Sequence, residues 1–509
     1  MCEGQHEANC IFDPIPLLSG RRVSNRLVKV AMYEHLASFG GGPPNSYHFR
    51  LYSEWAKHNW GIIITGNVAV TQDHLTLGRD MALPARADMQ TEEALLPFRE
   101  LAKSIHGTYS DSSTRLVNSN KTLAIMQLNH SGRQSTNIIG GRPPFKPPLA
   151  PSSIRVASSG SSMVSRALNN FMFQLPEAMT QHGVQEVIER FVEGAILAYK
   201  TGFDGVQLHA AHGYLLAQFL SPKTNTRMDI YSAENALDIV HNITRGIRKS
   251  TSDSFIISIK FNAADYISGA KASDSPREVE QRAIGHLLNV ASWRIIDFVE
   301  ISGGDYEKPD FMMNEFHSQN CRQAFFSNFS HKAMEALHKF HRTTSISPPL
   351  ILLTGGLKTL DILSTVLEHN HANLLGIGRA SVICPNFPDV LWERLKHPQL
   401  HGDEPFGREP DLSEPRILTS PLLASISVIA ANVKIVGAGT NMAWYVVTIR
   451  GIATAGTASI AAAHKRGRLT SILWMWLPII LYKANALRHL EKMLMVAITC
   501  IAVILAYRV

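Results

Sequence analysis

The sequence predicts an α/β protein: a closed (β/α)8 barrel followed by an apolar, helical C-terminal extension. Three observations carry this. Short runs of aliphatic and β-branched residues recur along the chain, as in Gly61-Ile-Ile-Ile-Thr65. Such continuous runs mark strands buried on both faces. Amphipathic helical patterns separate most of these runs between residues 28 and 395. That alternation requires parallel strands joined by crossover helices, and eight such units close a barrel. A doubly wound open sheet is the runner-up, but it generally uses fewer strands. Beyond residue 420 the composition turns sharply apolar.

Taken in order, residues 1–20 form a polar arm containing Pro14 and Pro16, and 21–400 form the barrel. Val28–Met32 is the first strand, and Phe39–Pro44, with three glycines and two prolines, is a loop. Asn45–His58 has helical spacing through Tyr47, Leu51 and Trp55. Gly61–Thr65 is the second strand, Leu95–His106 a helix, and Leu123–Leu128 the third strand. Gly140–Val164 is rich in Pro, Gly and Ser and runs over the surface. Thr180 and Glu186–Lys200 make a helix that leads into strand Gly205–His209. Helices at Asn235–Lys249, Pro276–Ala291, Ser330–Phe340 and Leu360–His369 alternate with strands at Phe255–Lys260, Asp297–Ile301, Leu350–Leu353 and Leu374–Ile377. A helix at Asp389–Leu395 closes this TIM-type barrel, and 401–420 is a Pro- and charge-rich linker.

Composition narrows the function. Charged residues are 18% of the 509, below the globular share of roughly 25%. The formal charge of +7 is not gathered into a basic run interleaved with aromatics, so nucleic-acid binding is not favoured. Basic residues beside an apolar tail point instead to an anionic membrane surface. The five cysteines are scattered, with no Cys-x-x-Cys. That argues against a zinc site, an iron–sulfur cluster or a disulfide framework, and for a reducing, cytoplasmic compartment. The first 25 residues have no secretory signal pattern.

Barrels of this class place chemistry at the carboxyl ends of their strands. Ala31, Met32 and Tyr33 follow strand one, Gly66 strand two, Gln127 stands in strand three, and His209, His212 and Tyr214 follow strand four. Lys260 ends strand five and Gly303 follows strand six. Gly355-Gly356 follows strand seven and Gly378-Arg379 strand eight. Paired glycines admit backbone N–H groups close to phosphate oxygens, and an arginine adds a bidentate cation. Alone, Gly355-Gly356 reads equally as a tight turn, and His209-x-x-His212 as a hydrogen-bonded structural pair. Together with the mostly uncharged polar rim of Gln127, His209 and Lys260, they fit flavin mononucleotide (FMN): an amide to pair with a planar heteroaromatic ring and a cation to stabilise its anionic reduced form.

Asn25-Arg26-Leu27-Val28, Ile64-Thr65-Gly66-Asn67-Val68, Gln127–Gln134, Phe203–Pro222, Glu300–Gly304 and Thr354-Gly355-Gly356 resemble, in the same order, the motifs of the Old Yellow Enzyme family of FMN-dependent ene-reductases, fungal type. The resemblance covers roughly residues 10–400. It implies that Gln127 and Lys260 hold the flavin ring, that Ala31, Met32 and Gly66 line it, and that Gly303, Gly355, Gly356, Gly378 and Arg379 hold the phosphate end. It further implies that His209 and His212 bind a substrate carbonyl oxygen, that Tyr214 protonates the product carbon, and that NAD(P)H supplies the hydride. The chain departs from the pattern at Tyr33, where relatives carry a small Thr or Cys near the flavin, at a shortened turn Ser232–Asn235, and at a polar insertion, Gly107–Lys121.

The expected function is NAD(P)H-driven reduction of the C=C bond of α,β-unsaturated carbonyl compounds, in the setting of secondary metabolism. The alternatives are a membrane-attached barrel acting as an interaction protein, motivated by Tyr33 and the shortened turn, and a flavin-dependent isomerase or oxidase on the same scaffold. In the extension, Val433–Gly439 imitates the start of a dinucleotide fold, but Met442 stands at the third glycine position and too little chain follows for a βαβ domain. Met493–Tyr507 has no charge over 15 residues. Extended to 490–508 with snorkelling Lys492 and Arg508, it reaches the roughly 17-residue lower bound for a spanning helix. A membrane anchor is therefore expected there, with His464–Arg468 on the cytoplasmic side. The competing expectation is a buried helical pair covering the barrel or a dimerisation segment.

Overall fold

The computed structural model describes residues 8–108, 122–157, 163–262, 276–302, 316–397, 403–410 and 434–477, together with 399 and 412. Eight parallel strands among them close into a barrel: β1 Leu27–Lys29, β2 Ile62–Ala69, β3 Leu123–Asn129, β4 Gly205–Ala210, β5 Ile256–Asn262, β6 Phe298–Ser302, β7 Leu350–Thr354 and β8 Leu374–Ile377. Each pairs with its successor, and β8 pairs with β1 through Leu375 and Leu27. The expected fold class is thus the observed one, with boundaries shifted by a few residues.

The helices follow the sequence pattern, except that the one expected at Ser330–Phe340 starts at Phe316 and a helix at Met163–Met172 was not expected. In chain order they are α1 Ser46–Ala56, α2 Glu92–Ile105, α3 Met163–Met172, α4 Gln181–Lys200, α5 Leu215–Leu220, α6 Asp238–Ser250, α7 Pro276–Ser292, α8 Phe316–Thr344, α9 Leu360–Glu368, α10 Ala380–Ile383, α11 Phe387–Lys396, α12 Lys434–Ala455, α13 Ser459–Ala463 and α14 Arg468–Trp476. Asn45 starts α1 by accepting Tyr47 N–H at 3.0 Å, while His48 Nδ1 accepts Asn45 N–H at 3.1 Å. This reciprocal cap satisfies donors a helix end otherwise leaves orphaned. Thr91 and Thr180 cap α2 and α4 one way only, their hydroxyls accepting Ala94 N–H and Gly183 N–H. Inside the barrel, Val28, Val30, Ile62, Ile64, Leu123, Ile125, Ile256, Phe298, Leu352 and Leu374 fill the lower layers. This leaves the carboxyl ends of the strands for polar side chains.

The extension corrects one expectation. Among the described residues no helix is long and apolar enough to cross a membrane, so the anchor reading is withdrawn; its segment 490–508 lies outside the described residues. The apolar residues that are described pack against the barrel instead. Trp444, Tyr445, Ile449, Ile452 and Ala463 belong to the same core as Leu51 and Trp55 of α1. Ala443, Val446, Val447, Trp474 and Met475 form a cluster against Tyr33 and Leu77. Arg450 is fully buried in α12 and its Nη1 donates to Trp474 O at 3.1 Å. A charged side chain in mid-helix suits a protein interface with carbonyls at hand better than hydrocarbon. The expected cytoplasmic flank His464–Arg468 is instead a turn between α13 and α14, with the Arg466 guanidinium over the Trp474 ring. Of the Val433–Gly439 stretch, the described residues 434–439 are the first turns of α12 rather than a strand, in keeping with its rejection as a nucleotide motif.

Removing residues 421–509 should therefore uncover an apolar face on α1 and on the loop after β1. We expect the truncated chain to aggregate, or to melt several degrees below the full chain, in a sedimentation and thermal-melting comparison. A truncated barrel that stays monomeric with an unchanged melting temperature would contradict this packing.

Candidate active site

Register decides which side chains share the barrel mouth. In a strand, alternate residues point to the same face, and in parallel sheets paired residues lie side by side. Gln127 of β3 pairs with Gln207 of β4, Lys260 of β5 pairs with His209 of β4, and Lys260 also pairs with Glu300 of β6. His209 lies two residues beyond Gln207, and Ser302 two beyond Glu300, so all six occupy the inner face. Asn67 of β2 joins them because the ladder to β3 shifts register between Ile64 and Asn67. This bulge reverses the inward parity of β2. The Thr65 hydroxyl compensates within it by accepting Gln127 N–H at 3.0 Å.

The result is a continuous buried layer of polar groups. Gln127 Nε2 donates to Gln207 Oε1 at 2.6 Å, Gln207 Nε2 donates to Glu300 Oε2 at 3.0 Å, and Lys260 Nζ lies 2.8 Å from Glu300 Oε1. The Lys260 side chain is 4% exposed and that of Glu300 is 0%. Above the layer, His209 Nδ1 is 2.6 Å from Asn67 Oδ1, His209 Nε2 is 2.8 Å from His212 Nδ1, and His212 Nε2 is 3.2 Å from Ser302 Oγ. Burial holds both imidazoles well below their usual pKa. His212 and then Lys260 press His209 further down, and Lys260 alone does the same to His212. Both rings are therefore neutral near pH 7. One chain of protons then satisfies all three contacts: Ser302 donates to His212, His212 to His209, and His209 to Asn67.

The loop after β4 is bent to bring the second ring over the first. His212 sits at φ +58° and Gly213 at +70°, and Gln134 Nε2 donates to His212 O at 2.9 Å. A left-handed histidine is a strained conformation, held here by a side chain from the β3 loop. Tyr214 precedes α5, is buried, and stacks edgewise on His209 with ring centroids 4.7 Å apart. The sequence-selected His209, His212, Tyr214, Gln127 and Lys260 thus meet at one mouth. Asn67, Gln207, Glu300 and Ser302 were missed as site residues; counting in twos from His209 reaches Gln207, but Glu300 and Ser302 follow only from the pairing of β6 with β5, and the bulge conceals Asn67.

Gly66 lies beneath Glu34, whose Oε1 accepts Gly66 N–H at 2.9 Å and Tyr52 O–H at 2.5 Å. A Cβ at Gly66 would stand 2.0 Å from Glu34 Oε2, so the position requires glycine. Met32 and Ala31 line the inner side of the loop after β1, with Met32 Sδ 3.8 Å from where a Cβ of Gly378 would stand. Tyr33 points elsewhere, its hydroxyl 3.3 Å from Asp80 Oδ2 and its ring against the α12–α14 cluster. Gly355 (φ +123°) and Gly356 (φ +74°) form the turn after β7. Arg379 opens α10 after Gly378. Gly303 and most of the insertion Gly107–Lys121 lie outside the described residues. The shortened turn Ser232–Asn235 folds into one 3₁₀ turn, and just before it Arg227 Nε donates to Asp229 Oδ1 at 2.9 Å.

These residues fit FMN. The positive-φ pair Gly355-Gly356 and the buried Thr354 hydroxyl, without a hydrogen-bond partner among the described residues, suit a ligand at the β7–β8 end. The polar layer ends in an amide and an ammonium group, Gln127 and Lys260.

The fold and this ring of donors define a flavin-dependent barrel oxidoreductase. Residues 10–397 match the profile of the NADH:flavin oxidoreductase / NADH oxidase family, and the chain belongs to that family. Its cofactor is FMN and its hydride donor NAD(P)H. The chain is similar to the NADH-dependent flavin oxidoreductase iliE of Hypocrea jecorina, 29% identical over 432 residues, covering 83% of this chain and 98% of that protein. It is also similar to iliE of Neonectria sp., 30% identical over 386 residues, covering 74% of this chain but 46% of that protein's length. Among solved structures, the Old Yellow Enzyme homologue from Zymomonas mobilis superposes with a TM-score of 0.56 at 18% identity, covering 75% of this chain and 92% of that one. Morphinone reductase does so with a TM-score of 0.55 at 17% identity, covering 79% and 91%. These likenesses establish the fold.

Two consequences are measurable. Replacing Glu300 by Leu removes the carboxylate facing buried Lys260, and should cost about 3–5 kcal/mol in urea unfolding; a loss under 1 kcal/mol would mean that Lys260 finds another partner. Burial also depresses His35 and His48, each to about 3, from an unfolded value near 6.5. The unfolded chain then binds protons that the native chain refuses. The stability these groups contribute is complete above pH ~6.5 and drains as pH falls toward 3, by up to about 1.4 kcal/mol per pH unit for each such group. Urea midpoints should drop measurably between pH 7.5 and 5.

Proposed function

We propose that the protein reduces the C=C bond of α,β-unsaturated carbonyl compounds. The observation that carries this reading is the His209–His212 contact at 2.8 Å between two neutral imidazoles at the mouth. The bond between two neutral rings carries one proton, so opening it frees His212 Nδ1–H for an arriving carbonyl oxygen, and His209 Nε2 becomes the second donor in its other tautomer, with the Asn67 amide turned to donate to His209 Nδ1. Neutral donors stabilise charge developing on that oxygen without surrendering a proton to it, and their preorganisation means little rearrangement at the moment of reaction. Tyr214, stacked on His209, stands on the same side and is the candidate to give its phenolic proton to the carbon α to the carbonyl. A phenol of pKa near 10 can protonate an enolate-like carbon.

FMN, when bound, supplies the chemistry of accepting hydride from NAD(P)H and passing it to the β-carbon of the substrate. Gln127 and Lys260 would hold its ring, with Ala31, Met32 and Gly66 against it. Gly355, Gly356, Gly378 and Arg379 would hold its phosphate. The Lys260 charge, fixed by Glu300, favours the anionic reduced ring. The setting of fungal secondary metabolism is supported by the company of NADH-dependent flavin oxidoreductases iliE and nadA, the latter of Aspergillus parasiticus.

The test uses the purified, flavin-loaded chain. Its yellow colour should bleach with NAD(P)H and recover on adding an enone such as cyclohexenone. His209→Ala should slow recovery by about 10²-fold or more, the scale of losing one oxyanion donor, while bleaching changes less. Recovery at the wild-type rate would remove His209 from the proposed role.

A further inference from the structure

Beyond the barrel, the chain returns to the end of β7 and β8 carrying a carboxylate. Residues 403–410 are clipped there. Phe406 N–H donates to Lys358 O at 2.9 Å, the Phe406 ring lies 4.3 Å from that of Phe387, and the Arg394 guanidinium sits over its other face. Three residues on, Glu409 Oε1 is 2.9 Å from Lys358 Nζ, and Tyr445 of α12 donates its hydroxyl to Glu409 Oε2 at 3.1 Å. Lys358 is two residues past the Gly355-Gly356 turn. Burial raises the Glu409 carboxyl, but Arg379 first and Lys358 second outweigh it and hold the group ionised well into acid. One carboxylate, bonded to Lys358 in the loop after β7 and to Tyr445 of α12, thus sits among the cations at the end of the barrel assigned to the cofactor phosphate.

We propose that Glu409 is an internal rival of the FMN phosphate, neutralising Lys358 and Arg379 when no flavin is bound and weakening the hold on the phosphate when it is. The proposal rests on placing the phosphate at Gly355, Gly356, Gly378 and Arg379. A phosphate monoester carries about −1.5 to −2 at pH 7. Entering beside an ionised carboxylate, it must share the same two cations and meet a like charge in a partly desolvated place, where Coulomb repulsion is weakly screened. Riboflavin, which has the same ring and ribityl chain but no phosphate, meets no such competition. The carboxylate is tied to α12 through Tyr445, so the C-terminal extension takes part in cofactor affinity as well as in covering the barrel.

The experiment titrates the flavin-free full-length chain with FMN and with riboflavin, following quenching of flavin fluorescence. Glu409→Gln keeps the size and the hydrogen bonds to Tyr445 and removes the charge. It should tighten FMN about tenfold and leave riboflavin unchanged, and inorganic phosphate should displace FMN from the wild type more weakly than from the variant. Lys358→Met should do the converse, weakening FMN and sparing riboflavin. A Glu409→Gln chain that binds FMN no better than the wild type overturns the proposal, and so does a Lys358→Met chain with unchanged FMN affinity, which can be read even if the first variant misfolds. A Glu409→Gln chain that binds FMN and riboflavin alike would sink the placement of the phosphate itself. Wild type that prefers FMN while Glu409→Gln changes nothing would sink the role of Glu409 alone.

Discussion

An ion pair closed off from water organises the mouth of this barrel. Lys260 and Glu300 stand side by side on neighbouring strands with their side chains almost wholly buried. Each would cost several kcal/mol to bury alone. The cost is offset because Glu300 also accepts from Gln207, and Gln207 from Gln127. The layer therefore works as a unit across β3, β4, β6 and β5, and it fixes the amide and the ammonium group offered to a planar ring. It also governs the chemistry one layer up. The Lys260 charge is one of the causes that keep His209 and His212 neutral, and neutral rings can donate to a carbonyl without losing a proton to it.

The same economy holds on the β2 side. A bulge at Thr65-Gly66 turns Asn67 inward to receive His209, and the buried carboxylate of Glu34 anchors the bulge through Gly66 N–H. Lys29 lies outside the barrel wall beneath α1, with its ammonium group 3.9 Å from the centroid of the Trp55 ring. Burial lowers its pKa, while Glu34 opposes the shift. With its pKa lowered to about 7, an amine placed against an aromatic face and beside a carboxyl group tolerates a position between strand and helix without water. Helix α1 is in turn the platform on which the extension rests, so the wall that shapes the flavin side of the mouth is continuous with the surface that holds α12.

The extension shows how one apolar composition serves two architectures. Read from composition alone, the alanine, valine and tryptophan of the extension suit a barrel cover or a bilayer, and composition does not distinguish them, although no described helix is long and apolar enough to cross a membrane. Arg450 does, once its partners are known, because the Trp474 carbonyl that receives it belongs to a neighbouring helix. Tyr33 is a similar case. Its bulk looks like an obstruction when only the neighbouring Met32 is considered. In the fold it faces Asp80 and the C-terminal cluster, while Met32 lies beside Gly378.

Local periodicity is written in the chain, so much of the protein was legible without coordinates. Eight apolar runs, their intervening helices and the polar residues that end the strands followed from the spacing of side chains. The ordered motifs around Gln127, His209 and Gly355 pointed to the family. Nothing local shows which strand face a bulge turns inward, which carbonyl accepts a buried arginine, or which cations a distant glutamate will meet. Asn67, Arg450 and Glu409 acquire their partners only when segments far apart in sequence are packed together, because burial and pairing belong to the assembled barrel. The sequence by itself determined the strands, their order and the chemistry available at their ends. The tertiary structure decided which of those groups meet, which stay neutral, and where the last apolar helices lie.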